Sequence, residues 1–269
     1  MISVITIIFH IVLLSTLLYP QEWQFDKSPT RQNLARLDML SRNSGWAVSY
    51  DGLILKYVDG NWVISDSLTY MGLKTYQGVE KKISTLKNWG DIYTVCMLDG
   101  HNGWLAINNM ELHLHTLLRY QNSKWNPETI TFPLRIRAID FLNIDFGFAA
   151  GEGGAYKYEN NEWSSVTLPT TIDFRAVKIF NKNQIYLAGE SGTVLYFNGQ
   201  WQTLQTPSAE LLRDMDFLSP TLGWFVGDNG TIIRYKENEF KIEYTGTSEN
   251  LWAVDMLSEK SGFAVGKNG

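Results

Sequence analysis

Apolar positions in this chain fall in short runs, separated by glycine, asparagine, aspartate and serine, and the same order of runs recurs. The stretch 211–235 shows one unit. An apolar run ends at Phe217-Leu218, Gly223-Trp224 opens a second run, Asp228-Asn229-Gly230 makes a turn, and a third run ends at Arg234-Tyr235. Phe240 then opens a fourth segment. The pattern predicts four short strands per unit, with tight turns where residues tolerant of positive φ stand.

The units keep phase along the chain. Second-strand openings fall at Gly45-Trp46, Gly103-Trp104, Gly147-Phe148, Gln184-Ile185-Tyr186, Gly223-Trp224 and Gly262-Phe263, with steps of 58, 44, 38, 38 and 39 residues between the aromatics. Fourth strands open at Trp62, Trp125, Trp163, Trp201 and Phe240. A period near 40 with four strands per repeat predicts an all-β fold, a β-propeller of four-stranded blades. At least six blades are expected, six or seven in all. The aromatics are expected to fill the wedges between blades, because one sheet cannot bury its own faces.

Departures from the period mark insertions and ends. Trp62 to Ile92 spans 30 residues where the equivalent step elsewhere is 11, which places an insertion at 65–90. A second, shorter insertion at 108–116 carries Glu111, His113 and His115. Long loops on a rigid scaffold are where binding surfaces tend to be elaborated. Trp23 to Leu34 is again 11 residues, so Trp23 reads as the opening of a fourth strand with no first three before it. The sixth unit stops at Gly269, on the turn before its third strand. The propeller, 21–269, is therefore expected to be incomplete at its C-terminal end, with the Trp23 strand placed to help close the ring.

Residues 2–19 carry no charge and are rich in Ile, Leu, Val and Phe. Segment 1–20 reads as a signal peptide or N-terminal membrane anchor, which predicts an extracytoplasmic protein (periplasmic, secreted or membrane-anchored). Net charge is −5, from 23 basic and 28 acidic residues, with no polybasic block, so nucleic acid is not an expected partner. The single cysteine, Cys96, cannot form an internal disulfide and reads as a small core residue.

The repeat resembles the photosystem II stability and assembly factor family, within the wider sialidase-like (BNR) group. The match rests on Leu251-Trp-Ala-Val-Asp-Met256 with Gly262-Phe-Ala-Val-Gly266, and on Gly223-Trp-Phe-Val-Gly227 with Gly230-Thr-Ile-Ile-Arg-Tyr235. It covers about residues 21–269. The resemblance implies an exported, non-enzymatic scaffold that binds a membrane-protein subunit through a basic patch on one propeller face.

Arg137, Arg175 and Arg213 occupy one phase of three successive first strands, where the other units have Ala35, Tyr93 and Trp252. First strands line a propeller's channel, so these arginines are expected around one sector of its mouth. The planar guanidinium fork suits carboxylate recognition. They are the expected partner-binding residues, for a protein partner with an acidic segment. The competing reading pairs each with an inter-blade carboxylate such as Asp140 or Asp216. No catalytic set, cofactor or metal is expected. A sialidase-like glycoside hydrolase would need a tyrosine–glutamate pair and an acid–base aspartate, which no spacing nominates. A carbohydrate-binding surface propeller is the other alternative class. His113 and His115 share one side of a strand with Glu111, too few converging ligands for zinc.

Overall fold

A computed structural model describes residues 3–7, 24–27, 29, 34–41, 44–49, 53–58, 61–67, 91–99, 101–109, 114–121, 124–127 and 132–267. Most of segment 1–20, most of the 65–90 insertion, Trp23, Glu111 and His113 lie outside these residues. In chain order the strands are β1 (Ser3–Ile7) and β2 (Gln24–Lys27), then β3 (Leu34–Ser41), β4 (Ser44–Ser49), β5 (Leu53–Val58) and β6 (Asn61–Ser67). The next group is β7 (Asp91–Met97), β8 (Gly103–Asn109), β9 (Leu114–Gln121) and β10 (Lys124–Pro127). It is followed by β11 (Ile136–Asn143), β12 (Phe146–Gly151), β13 (Gly154–Glu159) and β14 (Glu162–Val166). Then come β15 (Phe174–Asn181), β16 (Gln184–Gly189), β17 (Val194–Phe197) and β18 (Trp201–Leu204). The last are β19 (Leu212–Ser219), β20 (Leu222–Gly227), β21 (Ile232–Lys236), β22 (Glu239–Glu243), β23 (Leu251–Ser258) and β24 (Ser261–Gly266).

These strands form six four-stranded antiparallel sheets among the described residues. Five are contiguous in sequence, running β3–β6, β7–β10, β11–β14, β15–β18 and β19–β22. The sixth is composite: β23 and β24 are its inner strands, and β1 and β2 its outer ones. The innermost strands follow one another around a ring, β3, β7, β11, β15, β19 and β23, and β23 packs back on β3. The fold is thus an all-β propeller, with six four-stranded sheets among the described residues.

The sixth sheet differs from the sequence expectation in one respect. A fourth strand near Trp23 is present as β2, but the third position is not left open. β1 fills it, pairing Ile5 with Ala264 and Thr6 with Phe263, and β2 pairs on its outer side. A run rich in β-branched residues supplies donors and acceptors to the edge of β24. β1 lies within the segment read as an export signal.

The hydrophobic core is not central but divided among the seams. Six clusters each straddle two neighbouring blades; one joins Ala47, Leu55 and Tyr57 of the first blade to Ala253, Phe263 and Val265 of the sixth. Aromatic rings bridge these seams as expected: Trp104 stacks on Phe141 at 4.1 Å, and Tyr186 on Phe217 at 4.7 Å. The Gly of the Gly-aromatic motif has a packing reason. A Cβ on Gly223 would lie 2.4 Å from the Phe217 ring, and one on Gly147 2.5 Å from Phe141. At the turns between second and third strands, Asn229 and Gly230 take φ of 55° and 66°, as the Asn-Gly signal predicts.

The shorter insertion lengthens a hairpin. β8 and β9 run on to the pair Asn109–Leu114, and buried His115 stands opposite Asn108. Asn108 uses its amide to bind both the N–H (3.0 Å) and C=O (2.7 Å) of Ile136, tying this blade to the next.

Candidate functional site

Each innermost strand carries a β-bulge near its start, and the bulge explains the arginine phase. In the ladder of β11 the register skips from Ile136 to Ala138, in β15 from Phe174 to Ala176, and in β19 from Leu212 to Asp214. The skipped residues are Arg137, Arg175 and Arg213. The same skip leaves out Tyr93 in β7 and Trp252 in β23. A bulge releases one residue from the pleat and re-aims its side chain. Here it turns these side chains to the channel mouth. Arg137, Arg175, Arg213, Tyr93 and Trp252 line one space there, together with Arg36. That space is only about 10 Å³, so the mouth is filled by the side chains themselves.

None of the three arginines is an isolated charge, and their partners are not Asp140 or Asp216. Arg213 makes a two-point pair with Asp228, through Nε and through Nη2 at 3.0 Å. Arg175 pairs with Asp173 at 2.8 Å. Arg137 lies between Glu152 (3.2 Å) and Asp173 (3.6 Å), with its guanidinium 4.7 Å from the Tyr93 ring centre. Arg135 joins the same network through Glu152 at 3.0 Å. Around Glu152 and Asp173, Arg135, Arg137 and Arg175 face these two carboxylates and that of Glu190, which accepts the Asp173 N–H at 3.2 Å. Burial pushes the Asp173 carboxyl upward, against the pull of Arg175 and Arg137. The side chains of Arg175 and Arg213 keep 20% exposure, whereas that of Arg137 keeps 8%. Arg175 and Arg213 thus keep part of their surface in solvent, and Arg137 braces the mouth from within.

Arg36 was not expected from the sequence. It stands one residue beyond the arginine phase, alone among small or acidic residues in that tier (Thr94, Ala138, Ala176, Asp214, Ala253). Its side chain is buried and donates to the carbonyls of Trp252 (2.5 Å), Arg175 (2.5 Å) and Arg213 (2.6 Å), which belong to three different blades. One guanidinium so closes the channel beneath the mouth.

Below Arg36 the channel widens to a cavity of about 90 Å³ whose charged lining is mainly acidic. Asp38, Asp140, Asp216 and Asp255 share one tier with Lys178 and Cys96. Three of these aspartates accept an N–H from the next blade's innermost strand: Asp38 from Met97 (2.5 Å), Asp140 from Ile179 (2.6 Å) and Asp216 from Met256 (2.7 Å). Asp214, one tier up, does the same for Val254 at 2.9 Å. An innermost strand has one edge without a ladder partner, and these carboxylates satisfy donors along it. Lys178 pairs with Asp216 at 2.8 Å. Burial raises Asp38 from 3.8 to about 7 and Asp214 to about 6, and raises Asp140 as well. Cys96 is buried, with its thiol 3.7 Å from Asp140 and its ionisation suppressed by burial. Among the described residues, no group of three His, Cys, Asp or Glu is placed to hold a metal ion.

Fold and site together define a β-propeller with an arginine-lined mouth over an acidic, internally capped channel. No protein-family model and no curated protein matches the chain. Solved structures do. The chain is similar to YCF48 bound to D1 peptide (TM-score 0.59, 14% identity, 93% of this chain and 80% of that one). It is similar to the WD40 β-propeller domain of Doa1 (TM-score 0.59, 10% identity, 88% and 91%). It also matches the extracellular domain of the one-component system BT4673 from B. thetaiotaomicron (TM-score 0.59, 16% identity), covering 87% of this chain and 31% of that one. At these identities the shared property is the propeller fold.

Proposed function

We propose that this propeller is a non-catalytic, exported scaffold of the photosystem II assembly-factor type, which captures an acidic segment of a protein partner across its arginine-lined mouth. The reading is carried by one observation: arginines from three consecutive blades, each released by the same bulge, converge on one opening. The occupied mouth excludes deep insertion, so the partner lies over the rim and competes with Asp173 and Asp228 for Arg175 and Arg213. The fold shared with YCF48, a propeller seen holding a peptide, supports it. The uncharged, apolar segment near the N-terminus supports export and membrane proximity.

An immobilised glutamate-rich peptide tests the reading. The native chain should retain it at low salt and release it as salt rises. Replacing Arg175 and Arg213 with alanine should weaken retention about five- to tenfold, the worth of two part-exposed charge pairs. Retention equal to that of the native chain would remove the arginines from the function.

A further inference from the structure

The six seams are not packed alike, and one is left open on the propeller face opposite the arginine mouth. In the seam between the fourth and fifth blades, Tyr186 lies between Tyr196 (4.6 Å) and Phe217 (4.7 Å), and its hydroxyl donates to the Pro220 carbonyl. Gly223 makes room for Phe217. In the seam between the third and fourth blades, every one of these positions is changed. Ile185 stands where Gly223 does, Ile179 where Phe217 does, and Lys157 where Tyr196 does, as the matching registers show. Phe148 stands where Tyr186 does, but the rings of Tyr196 and Phe217 that flank it have no counterpart, and a groove of about 340 Å³ remains, within the usual size of a ligand pocket.

The chemistry of that groove is mixed. Phe146 and Phe148 are buried along it, and Phe197 and Trp201 are partly buried. Lys157, Glu159 and Lys182 stand on it, and no other charged side chain lines it. Glu159 holds both ammonium groups, Lys157 at 2.9 Å and Lys182 on its other oxygen, and the two cations keep its carboxyl below the usual range. Two positive charges thus share one negative charge, beside an aromatic trough. Lys182 also lies 5.1 Å over the Phe146 ring, 58% of its side chain in solvent.

We infer that this inter-blade groove is a second binding site, for a peptide segment that places an aromatic side chain next to a carboxylate. The ring would enter the trough, and the carboxylate would complete the pairing of Lys157 and Lys182. The site is independent of the arginine mouth, so its test is run in the Arg175→Ala/Arg213→Ala background, where the mouth cannot contribute.

The probes are three blocked tripeptides, acetyl-Glu-Phe-Glu-amide, acetyl-Glu-Ala-Glu-amide and acetyl-Lys-Phe-Lys-amide, titrated against the full chain while tryptophan indole N–H resonances are followed by NMR. Glu-Phe-Glu should bind with a Kd on the order of millimolar, as suits one buried ring and one charge pair. The other two should bind about tenfold more weakly or not at all. Lys182→Glu should weaken Glu-Phe-Glu binding by at least about fivefold, and Ser164→Trp, which fills the groove from an exposed strand position beside Lys157, should abolish it. The inference is overturned if Glu-Phe-Glu does not bind, if Lys-Phe-Lys binds equally well, or if neither groove variant changes the titration. Both variants are surface changes, and an unchanged melting temperature shows that the fold is intact.

Discussion

At one end of the channel, arginines lean against carboxylates from neighbouring loops and keep part of their surface in water. Farther in, aspartates lie along the wall and accept N–H groups from the next blade. Both tiers come from the same innermost strands, a few residues apart. They differ in what their charges replace. The aspartates stand in for ladder partners that an innermost strand cannot have, so removing one exposes a buried donor. The arginines pair at a wet rim, where an ion pair contributes little to stability and is open to exchange. The inner tier is therefore expected to carry stability, and the outer tier binding.

Asp216→Ala should break this contrast most strongly. It removes the acceptor of Met256 N–H and leaves Lys178 facing a mainly acidic wall without its closest partner. A loss of about 3 kcal/mol in chemical denaturation is expected, the lower end for breaking a buried pair because Lys178 is partly exposed. Arg36→Met comes next. Three carbonyls lose their donor at about 1 kcal/mol each, so about 2–3 kcal/mol should go, with peptide retention at the rim intact once the protein is folded.

Protonation gives a finer probe. Asp38, ordinarily at 3.8, titrates at about 7 in the fold, and Asp214 at about 6. Asp38 faces Asp140, Asp216 and Lys178, and Asp214 faces Arg36 and Asp216. Between the unfolded and folded values the native chain holds protons that the unfolded chain has lost. Stability from these groups is thus full below about pH 4 and falls as pH rises toward 7. The melting temperature should be higher at pH 5 than at pH 7.5, against the common trend. Asp38→Asn, which keeps an acceptor for Met97 N–H, should reduce that difference. A melting temperature that rises steadily from pH 5 to 7.5 in the native chain would contradict the assignment. The smallest effect on stability belongs to Arg213→Ala, less than about 1 kcal/mol, since Asp228 is itself at the rim.

The arginine phase was legible in the sequence because the bulge recurs in every blade and fixes the spacing. What each arginine touches was not. Asp140 and Asp216 stand three residues along the strand from Arg137 and Arg213, but the bulge and the pleat send them to a different tier. Two of the true partners, Glu152 and Asp228, follow the glycine that ends a second strand, at Gly151-Glu152 and Gly227-Asp228, and Glu190 repeats that position; the third, Asp173, stands just before β15. That periodicity was available and marks the loops of the same face. Arg36 had no periodic signal, since only a folded ring brings carbonyls of three blades to one point. The open seam was half legible: Gln184-Ile185-Tyr186 breaks the Gly-aromatic motif, but its meaning depends on Ile179 and Lys157 across the gap. The pairing of β1 with β24 was not legible, because an apolar, β-branched run serves export and strand pairing equally well.

The division of labour between the two tiers is tested most directly by measuring glutamate-rich peptide retention and thermal stability together in the Arg175→Ala/Arg213→Ala protein. Retention reduced five- to tenfold with a melting temperature close to that of the native chain is the expected result. A large fall in melting temperature with retention unchanged would contradict it, and would make the arginines part of the scaffold.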